Sequence, residues 1–208
     1  MRPIKVLVGC EYSQRVCGAF RQAGYEAFSC DLLPTEGNPE WHYQGDVRDI
    51  LSWDVQWDLF VAHPDCTYLT NSGVRWMTPE RKRKMREAVA FYKELWNADV
   101  EHICIENPVM HGYANELLVE LPKRQFVQPW WFGDRMFKRT GYTLKNLPRL
   151  EPTNKLVPPA PGTEEHKEWS WVHRCPPGPN RWKIRSRTPQ GIANAMAQQW
   201  GSFVQGVH

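Results

Sequence analysis

Cys66 closes the segment Trp57-Asp58-Leu59-Phe60-Val61-Ala62-His63-Pro64-Asp65-Cys66-Thr67-Tyr68, an apolar strand that runs into a Pro-containing loop presenting one thiol. Forty positions on stands Glu106, in His102-Ile103-Cys104-Ile105-Glu106-Asn107-Pro108, a second apolar strand ending in an acid. A thiolate is a soft nucleophile suited to C6 of a pyrimidine ring. Its attack builds negative charge on the ring, and a carboxyl group bonded at the N3 edge disperses that charge. Alone, Cys66 reads as a small buried hydrophobe after a strand. Paired with Glu106 at the end of the next strand it reads as a site, because ligands of open parallel sheets sit beyond the strands' carboxyl ends.

The elements that must position this pair alternate along the chain. Lys5-Val6-Leu7-Val8-Gly9-Cys10 is a short β-branched run and predicts a buried first strand. Ser13 predicts a cap for a helix over residues 14–23, with Val16 and Phe20 on one face and Gly24 as its stop. Residues 26–30 predict a second strand closed by Asp31, and residues 57–62 another. Thr78-Pro79 opens the clearest helix, residues 79–96, whose apolar stripe is Met85, Ala88, Val89, Tyr92, Leu95 and Trp96. Residues 100–105 form a buried strand, 114–121 a shorter helix, and 125–133 and 141–147 two late strands. Strand alternating with helix predicts a doubly wound α/β fold with a mostly parallel sheet.

From residue 151 to 187 the chain is rich in Pro and basic residues. Pro158-Pro159-Ala160-Pro161 and Pro176-Pro177-Gly178-Pro179 argue there against regular helix and for a long ordered loop or flap. Its Trp169, Trp171, His173, Arg174, Arg181, Trp182, Lys183, Arg185 and Arg187 interleave rings with cations, as suits single-stranded or flipped nucleic acid; packing of some of those rings against the core is the plainer alternative. Thr188-Pro189 opens a last helix, to about Phe203, with Ile192, Met196, Trp200 and Phe203 inward.

Length and composition set bounds. The 208 residues suffice for one α/β domain, residues 1–208, with no internal repeat. A net charge of +3 neither demands nor discourages a nucleic-acid partner. No apolar run approaches a membrane span and no signal-peptide core follows Met1, so a cytoplasmic protein with reduced thiols is expected, its six Cys forming no Cys-x-x-Cys pair. His63/Cys66, His102/Cys104 and His173/Cys175 are residue types that zinc accepts, but none has a standard zinc spacing and no metal is expected.

Pro64-Asp65-Cys66, Glu106-Asn107-Pro108 and the closing Arg187-Thr188-Pro189-Gln190-Gly191-Ile192-Ala193 together resemble the DNA cytosine-5 methyltransferases, of the short kind found in phage and prophage genomes. The resemblance runs in unpermuted order over most of the chain. It implies a Rossmann-like S-adenosylmethionine-dependent methyltransferase fold, with DNA as partner and the host cytoplasm as location. Cys66 would be the nucleophile and Glu106 the acid, with Asn107 beside them. The first turn, Glu11, Tyr12 and Ser13, would line the cofactor with Pro64. Asp31 is placed where a doubly wound fold bonds a ribose, and Asp46 resembles the family's adenine contact; as plain chemistry, Asp31 also reads as a turn residue and Asp46 as a helix cap. Tyr68, Asn71, Ser72 and Arg75 follow Cys66 in a loop that would close over a flipped base or simply connect strand to helix. Lys138-Arg139-Thr140 resembles the family's basic motif for the ring carbonyl and phosphate, and Arg185 of the flap would join these substrate contacts.

The chain departs from the family in three ways. Gly9-Cys10-Glu11-Tyr12-Ser13-Gln14 stands where the family has a Phe-x-Gly-x-Gly-Gly turn. Asp65 places a carboxylate beside the thiol, which raises its pKa. No segment is large enough for a target-recognition domain, leaving residues 151–187 to supply any specificity. Two further readings stay open on these grounds: C5 modification of a free pyrimidine nucleotide, and a catalytically inactive DNA- or nucleotide-binding protein of the same fold. The oligomeric state has no signal in the sequence.

Overall fold

In chain order the elements are β1 (Lys5–Gly9), α1 (Arg15–Gln22), β2 (Glu26–Asp31), β3 (His42–Gln44), α2 (Val47–Leu51), β4 (Leu59–Ala62), α3 (Pro79–Trp96), β5 (His102–Pro108), α4 (Gly112–Glu116), β6 (Gln125–Val127), β7 (Thr140–Lys145), α5 (Glu164–Trp169), α6 (Trp171–Arg174), α7 (Arg181–Ser186) and α8 (Gln190–Gln205). They come from a computed structural model that describes residues 2–71 and 74–206.

One seven-stranded sheet, in the order β3-β2-β1-β4-β5-β7-β6, organises the chain. β3, β2, β1, β4 and β5 pair in parallel, and β7 is antiparallel to both β5 and β6. This is the expected doubly wound, mostly parallel sheet. The order reverses between β1 and β4, the position beyond whose carboxyl ends open α/β sheets bind ligands. The first loop and the Cys66 loop both leave the sheet at that point.

Successive strand residues point to opposite faces, and the two cores follow that alternation. Val6, Val8, Leu59 and Val61 pack with Val16 and Phe20 of α1 and Ile192, Met196 and Trp200 of α8. Leu7, Phe60, Ile103 and Ile105 pack on the other face with Met85, Val89, Tyr92 and Leu95 of α3. The bounds of α3 are those its sequence predicts. Thr78 Oγ1 accepts from Arg81 N at 3.2 Å, and Pro79 occupies the first turn, where its missing N–H has no cost. No helix among the described residues is long and apolar enough to cross a membrane.

Several elements differ from expectation. β5 runs on through Glu106-Asn107-Pro108 because β7 supplies partners, pairing Glu106 with Tyr142 and Asn107 with Gly141. α4 stops at Glu116, short of the predicted 121, and the late strands are shorter than their apolar runs. α1 begins at Arg15, and Ser13 is not its cap: Glu11 holds its first turn instead. Phe203 stays 36% exposed, edge-on to His102, and does not join the inner face of α8. Residues 151–187 are not free of helix. Proline forbids helix only where it stands: α5 and α6 fit between the two Pro runs, and α7 follows the second. Trp169 of α5 is buried against Phe137, ring centroids 5.5 Å apart, whereas Trp171 and Trp182 remain exposed.

Candidate active site

The first loop takes a glycine-like path without glycines. At Gly9 itself an added Cβ would lie 2.7 Å from Val47 and 2.8 Å from Phe60, so the close approach requires glycine there. Beyond it Cys10 (φ 58°) and Gln14 (φ 54°) both adopt left-handed backbone. Each costs about 1–2 kcal/mol for a residue with a Cβ. Side-chain bonds offset that cost. Gln14 Nε2 donates to Ser29 Oγ (3.0 Å) and Asn38 O (2.9 Å), and its Oε1 accepts from Asn38 N (2.7 Å). The buried Glu11 carboxylate accepts from Val16 N (2.7 Å) and Cys17 N (3.1 Å), satisfying two orphan amides where the helix dipole favours an anion. Ser13 Oγ lies 3.4 Å from the same carboxylate.

Around this loop the carboxyl ends of β1, β2 and β4 gather Glu11, Tyr12, Ser13, Asp31 and the buried Pro64. Asp31 is half-buried; burial pushes its carboxyl up while the Leu33 amide, 2.9 Å from Oδ1, pulls it back. Asp46 is the N-cap of α2, accepting from Arg48 N at 3.0 Å, and bonds to the Arg48 guanidinium hold it below the usual carboxylate range. Tyr12 is buried under α7. Its hydroxyl donates to Lys183 O (2.8 Å) and lies 3.1 Å from Ser186 Oγ, and Trp182 meets its ring edge-on at 5.9 Å.

Cys66 is presented by a tight turn. Asp65 Oδ1 accepts from Thr67 N (2.8 Å) and Oγ1 (2.6 Å), and Leu69 N and Thr70 N both donate to Cys66 O, at 2.9 and 3.1 Å. The turn is tied to the end of β5 through His111. His111 N donates to Leu69 O (2.9 Å); its Nδ1 accepts from Ala114 N (3.1 Å), which leaves the proton on Nε2 to donate to Tyr68 O (3.0 Å). Thr70 bridges Met110 alongside.

Cys66, Glu106 and Lys138 converge electrostatically. Burial first, then the charges of Glu106 and Asp65, push the Cys66 thiol up to about 11, and Lys138 pulls it back. Burial lowers the Lys138 ammonium; Glu106 and Cys66 raise it, and Arg185 lowers it further. Lys138 Nζ donates to Arg187 O at 2.9 Å, joining the site to the end of α7. His63 Nδ1 lies 3.4 Å from Glu106 Oε2, with both side chains largely covered. Asn107 is fully buried, and neither its Oδ1 nor its Nδ2 has a hydrogen-bond partner; His63 Nε2 is likewise unpartnered.

Other residues singled out from the sequence lie further out. The Tyr68 ring packs under Arg81 and Lys84 of α3, at 5.2 and 5.6 Å. Asn71 and Arg75 are exposed, and Ser72 falls outside the described residues. Arg139 is exposed and stacks on Phe126 at 4.3 Å, away from Lys138's contacts. Among the described residues no three His, Cys, Asp or Glu side chains group as a metal set. Sequence reasoning treated His63 only as a metal ligand and overlooked His111. Each makes its telling contact with a residue 43 positions away, and the only local signal was a polar ring within an otherwise apolar stretch.

No family model and no curated protein matches the chain. Among solved structures it is similar to a prophage-encoded DNA modification methyltransferase from E. coli, at 11% identity and TM-score 0.46, covering 68% of this chain and 46% of that one. It is also similar to the S. pombe Dnmt2 methyltransferase (16%, TM-score 0.45, covering 71% and 51%) and to the Entamoeba histolytica methyltransferase EhMeth (14%, 0.43, 75% and 58%). The chain thus spans about half the length of the structures it resembles.

Proposed function

We propose that the chain methylates C5 of cytosine in DNA, using S-adenosylmethionine and a transient covalent bond from Cys66 to C6. The reading is carried by one observation: the Cys66 thiol, the Glu106 carboxyl and the Lys138 ammonium share one electrostatic neighbourhood at the switch point of the sheet.

The resting thiol is held protonated by burial and by two carboxylates. Moving its proton to Glu106 removes the larger of those two charges and conserves the net charge of the site. The thiolate that results lies beside Lys138. Cys66 Sγ then bonds to C6, the C5–C6 π electrons move into the ring, and the Glu106 acid donates at N3. Once C5 carries its new methyl group, N3 returns its proton to Glu106, and loss of the C5 proton to a base re-forms the C5–C6 double bond and expels the thiolate.

S-adenosylmethionine, when bound, supplies an electrophilic methyl group on a sulfonium. The end of β2 suits such a ligand, since Asp31 offers a half-buried carboxylate for ribose hydroxyls. The first amides of α1 are taken by Glu11, so the ligand's own carboxylate would meet Ser13 and the loop instead. Asp46 and Pro64 would flank the remainder.

A second reading keeps the chemistry and changes the acceptor to a free pyrimidine nucleotide. It is favoured by α7, which lies across Tyr12 and Lys138 where a duplex would have to deliver its base. The test is transfer of label from methyl-labelled cofactor to DNA and to dCMP, with Cys66→Ala alongside. Label on DNA that vanishes in the variant supports the proposal. Label on dCMP alone moves it to the second reading. Transfer unaffected by Cys66→Ala overturns the mechanism, and cofactor binding without any transfer indicates a binding protein.

A further inference from the structure

Glu106 has two oxygens, and only one can face a heterocycle with a proton to give. The site contains a device that distinguishes them. His63 extends the line of β4, its backbone N–H donating to Gly9 O at 3.0 Å, so its position is set by the sheet and not by a loop. The imidazole is 9% exposed, with Nδ1 3.4 Å from Glu106 Oε2. The imidazole also couples electrostatically to Asp31. The other charged or titratable groups around Glu106, among the described residues, are Cys66, Lys138, Tyr142, Cys104 and Tyr92, with Asp65 acting on Cys66 and Arg185 on Lys138.

The tautomer follows from what is unpartnered. With the proton on Nδ1, the ring donates to Oε2 and leaves only a lone pair at the buried Nε2. With the proton on Nε2, a buried N–H would lack an acceptor and a lone pair would confront the carboxylate. The first arrangement has one modest penalty, the second has two.

We infer that His63 is the positioning residue for Glu106: its Nδ1–H bonds Oε2 as the carbonyl-like oxygen, so that Oε1 carries the proton given to the pyrimidine N3. This rests on the proposed reaction and deepens it. A carboxylic acid has one donor and one acceptor oxygen, and a hydrogen bond donated to one selects the other as donor. After the proton leaves Oε1, the carboxylate charge is met by His63 Nδ1–H and by the charge of Lys138. Nothing in the sequence neighbourhood of Cys66 signals this role, since it depends on β4 and β5 being adjacent.

Three substitutions separate orientation from packing. In His63→Asn the amide Nδ2 takes the place of Nδ1; in His63→Gln the amide reaches toward the place of Nε2; His63→Phe keeps the ring volume with no donor. The inference expects His63→Asn to keep methyl transfer within about threefold of wild type, and the Gln and Phe variants to lose roughly 10–100-fold in kcat with KM for the cofactor unchanged. An Asn variant as slow as the Phe variant overturns it, since packing alone would then explain the loss. Ring 15N shifts of His63, measured by NMR in the unmodified protein, are independent of turnover. An Nδ1–H signature that changes in Glu106→Gln upholds the pairing even if no acceptor is methylated, which would sink the reaction and not the contact. An Nε2–H signature in wild type overturns the inference outright.

Discussion

α7 is held over the site by few contacts, and loosening them gives a measurable prediction. Six residues cannot sustain a helix alone, and none of those in α7 is buried. What fixes it is the Tyr12 hydroxyl on Lys183 O and Ser186, the Lys138 bond to Arg187 O, and a two-point pair from Arg187 to Glu36 at 3.0 and 2.7 Å. The Arg187 and Glu36 side chains are each about one-third exposed, at 36% and 35%. Tyr12→Phe removes a neutral hydrogen bond, about 1 kcal/mol. Glu36→Gln weakens a solvent-screened pair, at most about 1 kcal/mol. Together they should raise the opening constant of α7 by up to about thirtyfold, at about 1.4 kcal/mol per factor of ten. Amide hydrogen exchange followed by mass spectrometry on peptides covering 181–187 reads this directly. Exchange there should accelerate by an order of magnitude or more in the double variant, while peptides of β1 and α8 stay protected. If the flap must open to admit ligand, apparent affinity improves by up to the same factor. Unchanged protection at 181–187, or equal loss throughout the chain, refutes the reasoning.

Peptide-resolved alkylation of Cys66 against pH should show a midpoint near 11. Glu106→Gln should lower that midpoint more than Asp65→Asn does, since Glu106 is the larger of the two charge effects; the reverse order would contradict the electrostatics. Because the folded thiol stands at about 11 against an ordinary value of 9.0, its contribution to stability is complete below pH 9 and is lost as pH rises toward 11, which urea melts across that window would register. Gly191→Ala would place a Cβ 2.1 Å from Phe132 O and disturb the 2.9 Å bond from Gly191 N to Asp134; a loss of about 3 kcal/mol is expected in urea unfolding, and a loss below 1 would mean that α8 shifts freely. Asp46→Ala removes the cap of α2 and should cost about 1 kcal/mol by the same assay.

Whatever depends on neighbours along the chain could be read from the residues alone. The limits of α3 follow from Thr78, Pro79 and a stripe at helical spacing; β1 and β4 follow from short apolar runs; the proposal of Cys66 and Glu106 as a pair starts from two strand-end motifs. Contacts across the sheet decided the rest. Glu106 and Asn107 lie in a strand because β7 pairs with them, and the charge of Glu106 reaches Cys66 because β4 lies beside β5. Left-handed backbone at Cys10 and Gln14 is set by partners at Ser29, Cys30 and Asn38, against local preference. The cap of α1 is a carboxylate reaching from Glu11, and α7 is moored by contacts 171 and 151 positions away. Periodicity and capping are properties of a few consecutive residues, so they survive in the linear order. Hydrogen bonds and charge couplings at the site join residues that only the sheet brings together, and no local pattern encodes them.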